Sequence, residues 1–103
     1  MFEEVITTQS RLREIVGMPS HRMGGKHIDH IDDICAKYIA ASPYIVISTR
    51  GSDDLLDMSP KGDAAGFVRV LNEKVLAIPD RLGNKRADTF DNLLVNPEVG
   101  IIF

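Results

Sequence analysis

The chain has 103 residues, of which 44% are hydrophobic, and its formal net charge is -3. This length allows one small domain with a single core, and the hydrophobic content excludes a disordered chain. The acidic balance disfavours a general nucleic-acid binder, and the single Cys35 excludes an internal disulfide. With no membrane-length apolar run and no apolar signal core, we expect a cytoplasmic protein without nucleic-acid or membrane partners.

The N-terminal part is predicted to contain one short helix. Thr7 and Thr8 are candidate N-caps for a helix over residues 10–16, and Gly17 followed by Pro19 ends it. Residues 20–26 are polar and glycine-rich, which predicts a loop.

The clearest helical pattern covers residues 28–41. Its apolar side chains recur at helical spacing and form one stripe: Ile28, Ile31, Ile34, Cys35, Tyr38 and Ile39. Because the stripe is apolar, we interpret Cys35 as a buried, inert thiol. Histidines and aspartates mix over residues 27–33, but helical geometry spreads them over different faces. We therefore assign the aspartates to the helix N-terminus and predict no metal site.

The second half of the chain is predicted to be mainly β. Apolar, β-branched runs separated by turn residues predict strands over 44–49, 55–59, 67–71, 75–78 and 99–103, with a loop over 60–66 and a helix over 87–94. The terminal strand must pair with another strand, because an open apolar edge otherwise aggregates.

A basic turn lies between the strand over 75–78 and the helix over 87–94. Arg81, Lys85 and Arg86 stand before a helix start, where the helix dipole disfavours cations. A flexible Gly83, backbone N–H groups and guanidinium groups would form a phosphate site there. A solvated basic loop explains the same residues. A neighbouring strand would bring Lys61 beside this turn.

Several ordered motifs resemble one known family. The motifs are Ser59-Pro60-Lys61-Gly62-Asp63, Gly66-Phe67-Val68-Arg69-Val70, Pro79-Asp80-Arg81, Gly83-Asn84, Arg86, Asp88, Asn92 and Asn96-Pro97. They are similar to the SPRGD, GFVRV and PDRxGNxRxD patterns of the pyridoxamine 5′-phosphate oxidase-related FMN-binding proteins. The resemblance covers nearly the whole chain, and it departs from the family pattern at Lys61, where relatives have arginine.

The resemblance implies a β-barrel with flanking helices, namely an antiparallel, Greek-key FMN-binding split barrel. We expect an N-terminal helix and linker over 1–26 and the barrel domain over 27–103, cut short at the C-terminus because family members are longer. The implied flavin-binding residues are Ser59, Lys61, Asp80, Arg81, Asn84, Lys85 and Arg86.

The resemblance further implies a homodimer that binds FMN and acts as a flavin-dependent oxidoreductase on an unknown small molecule. The sequence offers no acid, base or nucleophile for a specific substrate. Two alternatives stay open. One is a truncated split-barrel dimer without flavin, and the other is a binder of a different cofactor, such as a deazaflavin or haem.

Overall fold

The computed structural model describes residues 3–81 and 87–103 and contains four helices and five strands within them. In chain order these are α1 (Gln9–Val16), α2 (His21–Gly24), α3 (Asp33–Ala41), β1 (Tyr44–Arg50), β2 (Leu56–Gly62), β3 (Arg69–Asn72), β4 (Val75–Ala77), α4 (Asp88–Val95) and β5 (Gly100–Ile102).

The strands form two antiparallel sheets. One has the order β2-β1-β5, and the other is the β3-β4 hairpin. In the first sheet Ile47 of β1 lies opposite Ser59 and Ile101, so β1 is the central strand. The described strands thus give a mixed fold of helices and antiparallel sheets, and they do not close into a barrel. The C-terminal strand finds its partner in β1 of its own chain.

The core is small and lies between β1, α3 and the β3-β4 hairpin. Its buried hydrophobic side chains are Ile39, Ile45, Ile47 and Val68. β1 supplies the centre of this core because its β-branched residues alternate between faces, so that Ile45, Ile47 and Thr49 all point inward. On α3, which packs on β3, only Ile39 is buried.

Helix α3 begins five residues later than the predicted 28–41. Asp32 is its N-cap, and its carboxylate accepts a hydrogen bond of 2.8 Å from the Cys35 backbone N–H. The preceding Ile31 instead donates its backbone N–H to Glu73, at 2.8 Å. The predicted stripe is therefore wrong in part: Ile28 lies outside the helix, and Ile34 and Tyr38 are 78% and 62% exposed.

Residues 3–30 lie at the surface, and all of them are exposed except the half-buried Gly17. The predicted first helix is confirmed, since the Thr8 hydroxyl accepts from the Arg11 N–H at 3.1 Å and Gly17 ends the helix at a φ of 81°. The predicted loop over 20–26 is wrong, because α2 lies within it. No helix in the described ranges is long and apolar enough to cross a bilayer.

The β1-β2 hairpin is longer than predicted. β2 continues through Gly62, so the first three residues of the predicted 60–66 loop are strand. Pro60 lies on β2, an edge strand, which is where proline is found in sheets. This extension places Lys61 on β2, opposite the fully buried Ile45.

Candidate functional site

A cleft of about 910 Å³ lies between the two sheets. Its walls are mainly apolar and include Ile47, Phe67, Leu76, Ile78, Leu93 and Ile101. This size is within the range of small-molecule and cofactor sites, which are mostly apolar with a few polar groups. Here the polar groups are concentrated at two places, which we call the arginine end and the histidine end.

The arginine end is formed by Lys61, Asp63, Asp80 and Arg81, all of which line the cleft. Lys61 is half-buried on the inward face of β2 because it lies opposite Ile45. Arg81 donates its Nε–H to the Asp63 carboxylate at 2.8 Å. A guanidinium has five N–H donors, so this ion pair uses only part of its capacity.

Asp63 orients Arg81 and is itself fixed by the backbone. Its N–H donates to the Pro43 carbonyl at 3.0 Å, and its carboxylate accepts from the Ala64 N–H at 2.8 Å. The Ala64 N–H, followed by the Arg81 guanidinium, lowers the pKa of Asp63 below its ordinary value. The carboxylate is therefore charged at neutral pH and holds the Arg81 side chain at the cleft.

Helix α4 begins shortly after the arginine end. Ala87 is its N-cap, with a left-handed φ of 55°, and its side chain supplies no capping hydrogen bond. Asp88 and Asp91 lie in the first turn, where the helix dipole favours negative charge. Their negative charge partly offsets the unfavourable placement of cations before a helix start, for which the sequence analysis invoked a bound phosphate.

Asn92 fixes α4 on the first sheet. Its side-chain amide donates to the Thr49 hydroxyl at 3.0 Å and to the Asp57 carboxylate at 2.7 Å. A Cβ on the adjacent Gly51 would lie 2.6 Å from the Asn92 amide oxygen, so only glycine fits there. Asn92 matches the family pattern noted above, but its structural role was not predicted. An asparagine, which is a poor helix former, within a predicted helix was the available signal.

The histidine end is formed by Asp29, His30, Glu73 and Lys74, which also line the cleft. The His30 Nδ1 lies 3.3 Å from the Asp29 carboxylate. The Lys74 ammonium donates to the Asp29 backbone carbonyl and lies 3.6 Å from its carboxylate. This cluster was not predicted as a site, because the sequence pattern placed Asp29 and His30 inside a helix and Glu73 and Lys74 in a turn between two strands.

The predicted site residues divide into three groups. Lys61, Asp80 and Arg81 line the cleft together. Ser59 faces inward on β2, opposite Ile47, and is half-buried, but it is not a lining residue. The other three predicted residues, Asn84, Lys85 and Arg86, lie outside the described residues.

The sequence analysis also considered the Cys35 thiol and a metal site over residues 27–33. Hydrogen bonding to the Asp32 carboxylate and burial raise the pKa of the Cys35 thiol, so it stays protonated; the side chain is half-buried rather than buried. Residues 27–31 precede α3, so the helical spacing used above for His27 and His30 does not apply. Within the described ranges, no group of three or more potential ligands is placed to hold a metal ion.

Comparisons with protein families, curated proteins and solved structures found no match to this chain.

Proposed function

We propose that the chain binds FMN in the cleft between the sheets, as part of a homodimeric flavin-dependent oxidoreductase of the split-barrel type. The observation that carries this proposal is an apolar cleft with Lys61 and Arg81 at one end. A flavin needs both features, since its ring system is flat and largely apolar and its side chain ends in a phosphate.

The charges support a phosphate at the arginine end. Among the described residues there, Lys61 and Arg81 balance Asp63 and Asp80. The chain continues directly into Lys85 and Arg86, which add two positive charges in sequence. Arginine suits phosphate because its N–H groups form a planar fork, whereas Lys61 acts as a point charge. Asp80 carries the wrong charge for phosphate contact, and its role is to balance the cations.

The length of α3 supports an elongated ligand, because the two ends are attached to the chain on opposite sides of this helix. Helix α3 separates them: its N-terminal side joins the histidine end through Ile31 and Glu73, and its C-terminal side leads to Pro43, which bonds Asp63. Nine residues of helix span about 13 Å. A tricyclic ring joined to a phosphate by a five-carbon chain is long enough to reach from one end toward the other.

The outer face of the first sheet supports a homodimer. A sheet face open to water normally carries polar side chains. Here Tyr44, Leu56, Met58 and Ile102 lie on the face opposite the core and are 53%, 73%, 69% and 68% exposed. A second copy related by a two-fold axis would cover this patch with the same patch. Light scattering should then give a dimer at micromolar concentration, and a monodisperse monomer would remove dimerisation from the proposal.

A second candidate function is favoured by the walls of the cleft. Ile47, Leu76 and Ile101 also have the character of an unfinished β-barrel interior, which protein side chains could fill instead of a ligand. In that case the chain forms a split-barrel dimer without flavin.

Titration of the flavin-free full chain with FMN, followed by quenching of flavin fluorescence, separates the two candidates. Replacing both Arg81 and Arg86 with alanine should weaken binding by about 2–4 kcal/mol, from about 1.5–3 kcal/mol per charged hydrogen bond without full additivity. Arg22→Ala is the matched control, because Arg22 is exposed on α2 and does not line the cleft. Unchanged affinity in the double variant would exclude the phosphate assignment, and no binding by the unaltered chain would favour the flavin-free dimer.

A further inference from the structure

The histidine end joins an exposed polar cluster to one residue, Ile31, that packs against the core. Residues 29–31 lie before α3 and make three contacts with the β3-β4 turn. Ile31 donates to the Glu73 carbonyl, and Lys74 contacts both the backbone and the carboxylate of Asp29. Apart from the half-buried Ile31, none of these residues is buried. Ile31 packs against the core, whereas Asp29, His30, Glu73 and Lys74 are exposed, so these contacts fix a short polar segment beside the cleft.

His30 is the residue that this arrangement positions. It lines the cleft with 41% of its side chain exposed, and its Nδ1 faces the Asp29 carboxylate at 3.3 Å. A hydrogen bond at one ring nitrogen sets the tautomer and leaves the other nitrogen for a ligand. The geometry therefore leaves Nε2 as the nitrogen able to contact whatever occupies this part of the cleft.

The charged groups around His30 come from two elements. Asp29 and Asp32 lie on its own segment, and Glu73 and Lys74 lie on the β3-β4 turn. The Cys35 backbone N–H is the main cause that lowers the pKa of Asp32, and the charge of His30 contributes to the same shift. At the histidine end the carboxylates of Asp29 and Glu73 outnumber the Lys74 ammonium, so this end does not suit a phosphate, whereas the arginine end does. A ligand that spans the cleft would therefore place a phosphate at the arginine end and its uncharged part at the histidine end.

We propose that His30 is a ligand-contacting residue that hydrogen-bonds, through Nε2, to the polar edge of the ring system of the bound flavin. This inference rests on the proposed function. The ring edge carries carbonyl and N–H groups and no full charge, so it can approach carboxylates that would repel a phosphate. Asp29 is the positioning residue that orients the imidazole.

The experiment uses the full chain loaded with FMN and measures FMN affinity and the flavin absorption band between about pH 5 and 8, where histidine ordinarily changes its charge. His30→Gln should weaken FMN binding about two- to tenfold, the range of one neutral hydrogen bond, and should remove the pH-dependent shift of the band. His27→Gln is the matched control, since His27 is an exposed histidine three residues away that does not line the cleft.

A second variant separates positioning from simple structural loss. Asp29→Asn keeps an oxygen acceptor for the His30 Nδ1–H and should retain most of the FMN affinity, whereas Asp29→Ala removes the acceptor and should lose about as much affinity as His30→Gln. If the unaltered chain binds FMN and His30→Gln keeps both its affinity and its pH profile, the inference is wrong while the proposed function stands. If His27→Gln and His30→Gln lose affinity equally, the inference is also wrong. If the unaltered chain binds no FMN, the proposed function fails and the inference fails with it.

Discussion

Replacing Asn92 with alanine should destabilise the fold, because this residue joins α4 to the β1-β2 hairpin. Asn92 is 9% exposed, and its amide donates to the buried Thr49 and to the Asp57 carboxylate. The neutral bond contributes about 0.5–1.5 kcal/mol and the charged bond about 1.5–3 kcal/mol. Alanine regains roughly 0.5 kcal/mol as a better helix former. The expected loss in the free energy of unfolding is therefore about 1.5–4 kcal/mol.

Urea unfolding followed by circular dichroism measures this loss. At a typical slope of roughly 1.5 kcal/mol per molar, the midpoint should fall by about 1–3 M while the slope stays unchanged. Leu94→Ala is the control on the same helix, because Leu94 is 87% exposed and should change the midpoint little. An Asn92→Ala midpoint equal to that of Leu94→Ala would refute the assignment of Asn92 as the link between helix and sheet.

Two further predictions concern the connections around α3. Gly66→Ala should lower the free energy of unfolding by roughly 2–4 kcal/mol, because Gly66 has a φ of 80° and a Cβ there would lie 2.8 Å from the Ala40 carbonyl oxygen. Gly24→Ala is the control and should be nearly neutral, because a Cβ there would have nothing within 4 Å. Equal thermal midpoints for the two variants would contradict this prediction. Asp32→Ala should destabilise the chain at pH 7 by removing the cap on the Cys35 N–H. The pKa of Asp32 is lowered in the folded state from 3.8, so its stabilisation is present above that pH and disappears as the pH falls through the folded value. Urea midpoints of Asp32→Ala and the unaltered chain should converge in acid, and a constant difference would be inconsistent with this cap.

Local patterns were sufficient to predict most of the strands and two of the helices. β1 was predicted over 44–49 because a run of β-branched residues has few alternatives to a central strand, and the structure adds only Arg50. Helix α1 was predicted because Thr8 and Gly17 are strong local start and stop signals. These features depend on residues close together in sequence.

The errors arise where distant residues decide the structure. Asp29, Asp32 and Asp33 are all acceptable near a helix start, and the choice of Asp32 as the cap accompanies the docking of Ile31 on Glu73. No local pattern contains that contact. For the same reason the histidine end was missed, since its residues come from two segments far apart in the chain.

The candidate site was predicted in part. Lys61 and Arg81 were selected from charge and from the family resemblance, and the structure brings both to one end of the cleft. The Asp63 carboxylate that orients Arg81 belonged to one of the family motifs but was given no role in the predicted site. Its actual partner lies 18 residues away in sequence, on a different segment.

The central claim is that this chain holds FMN in the cleft between its two sheets. The most direct measurement is the absorption spectrum and mass of the small molecule that copurifies with the full chain, repeated after incubation with excess FMN and removal of unbound flavin. We predict a flavin spectrum and the mass of FMN, at one molecule per chain. A colourless protein that remains colourless after incubation with FMN, or a bound molecule with a different spectrum and mass, would contradict the account.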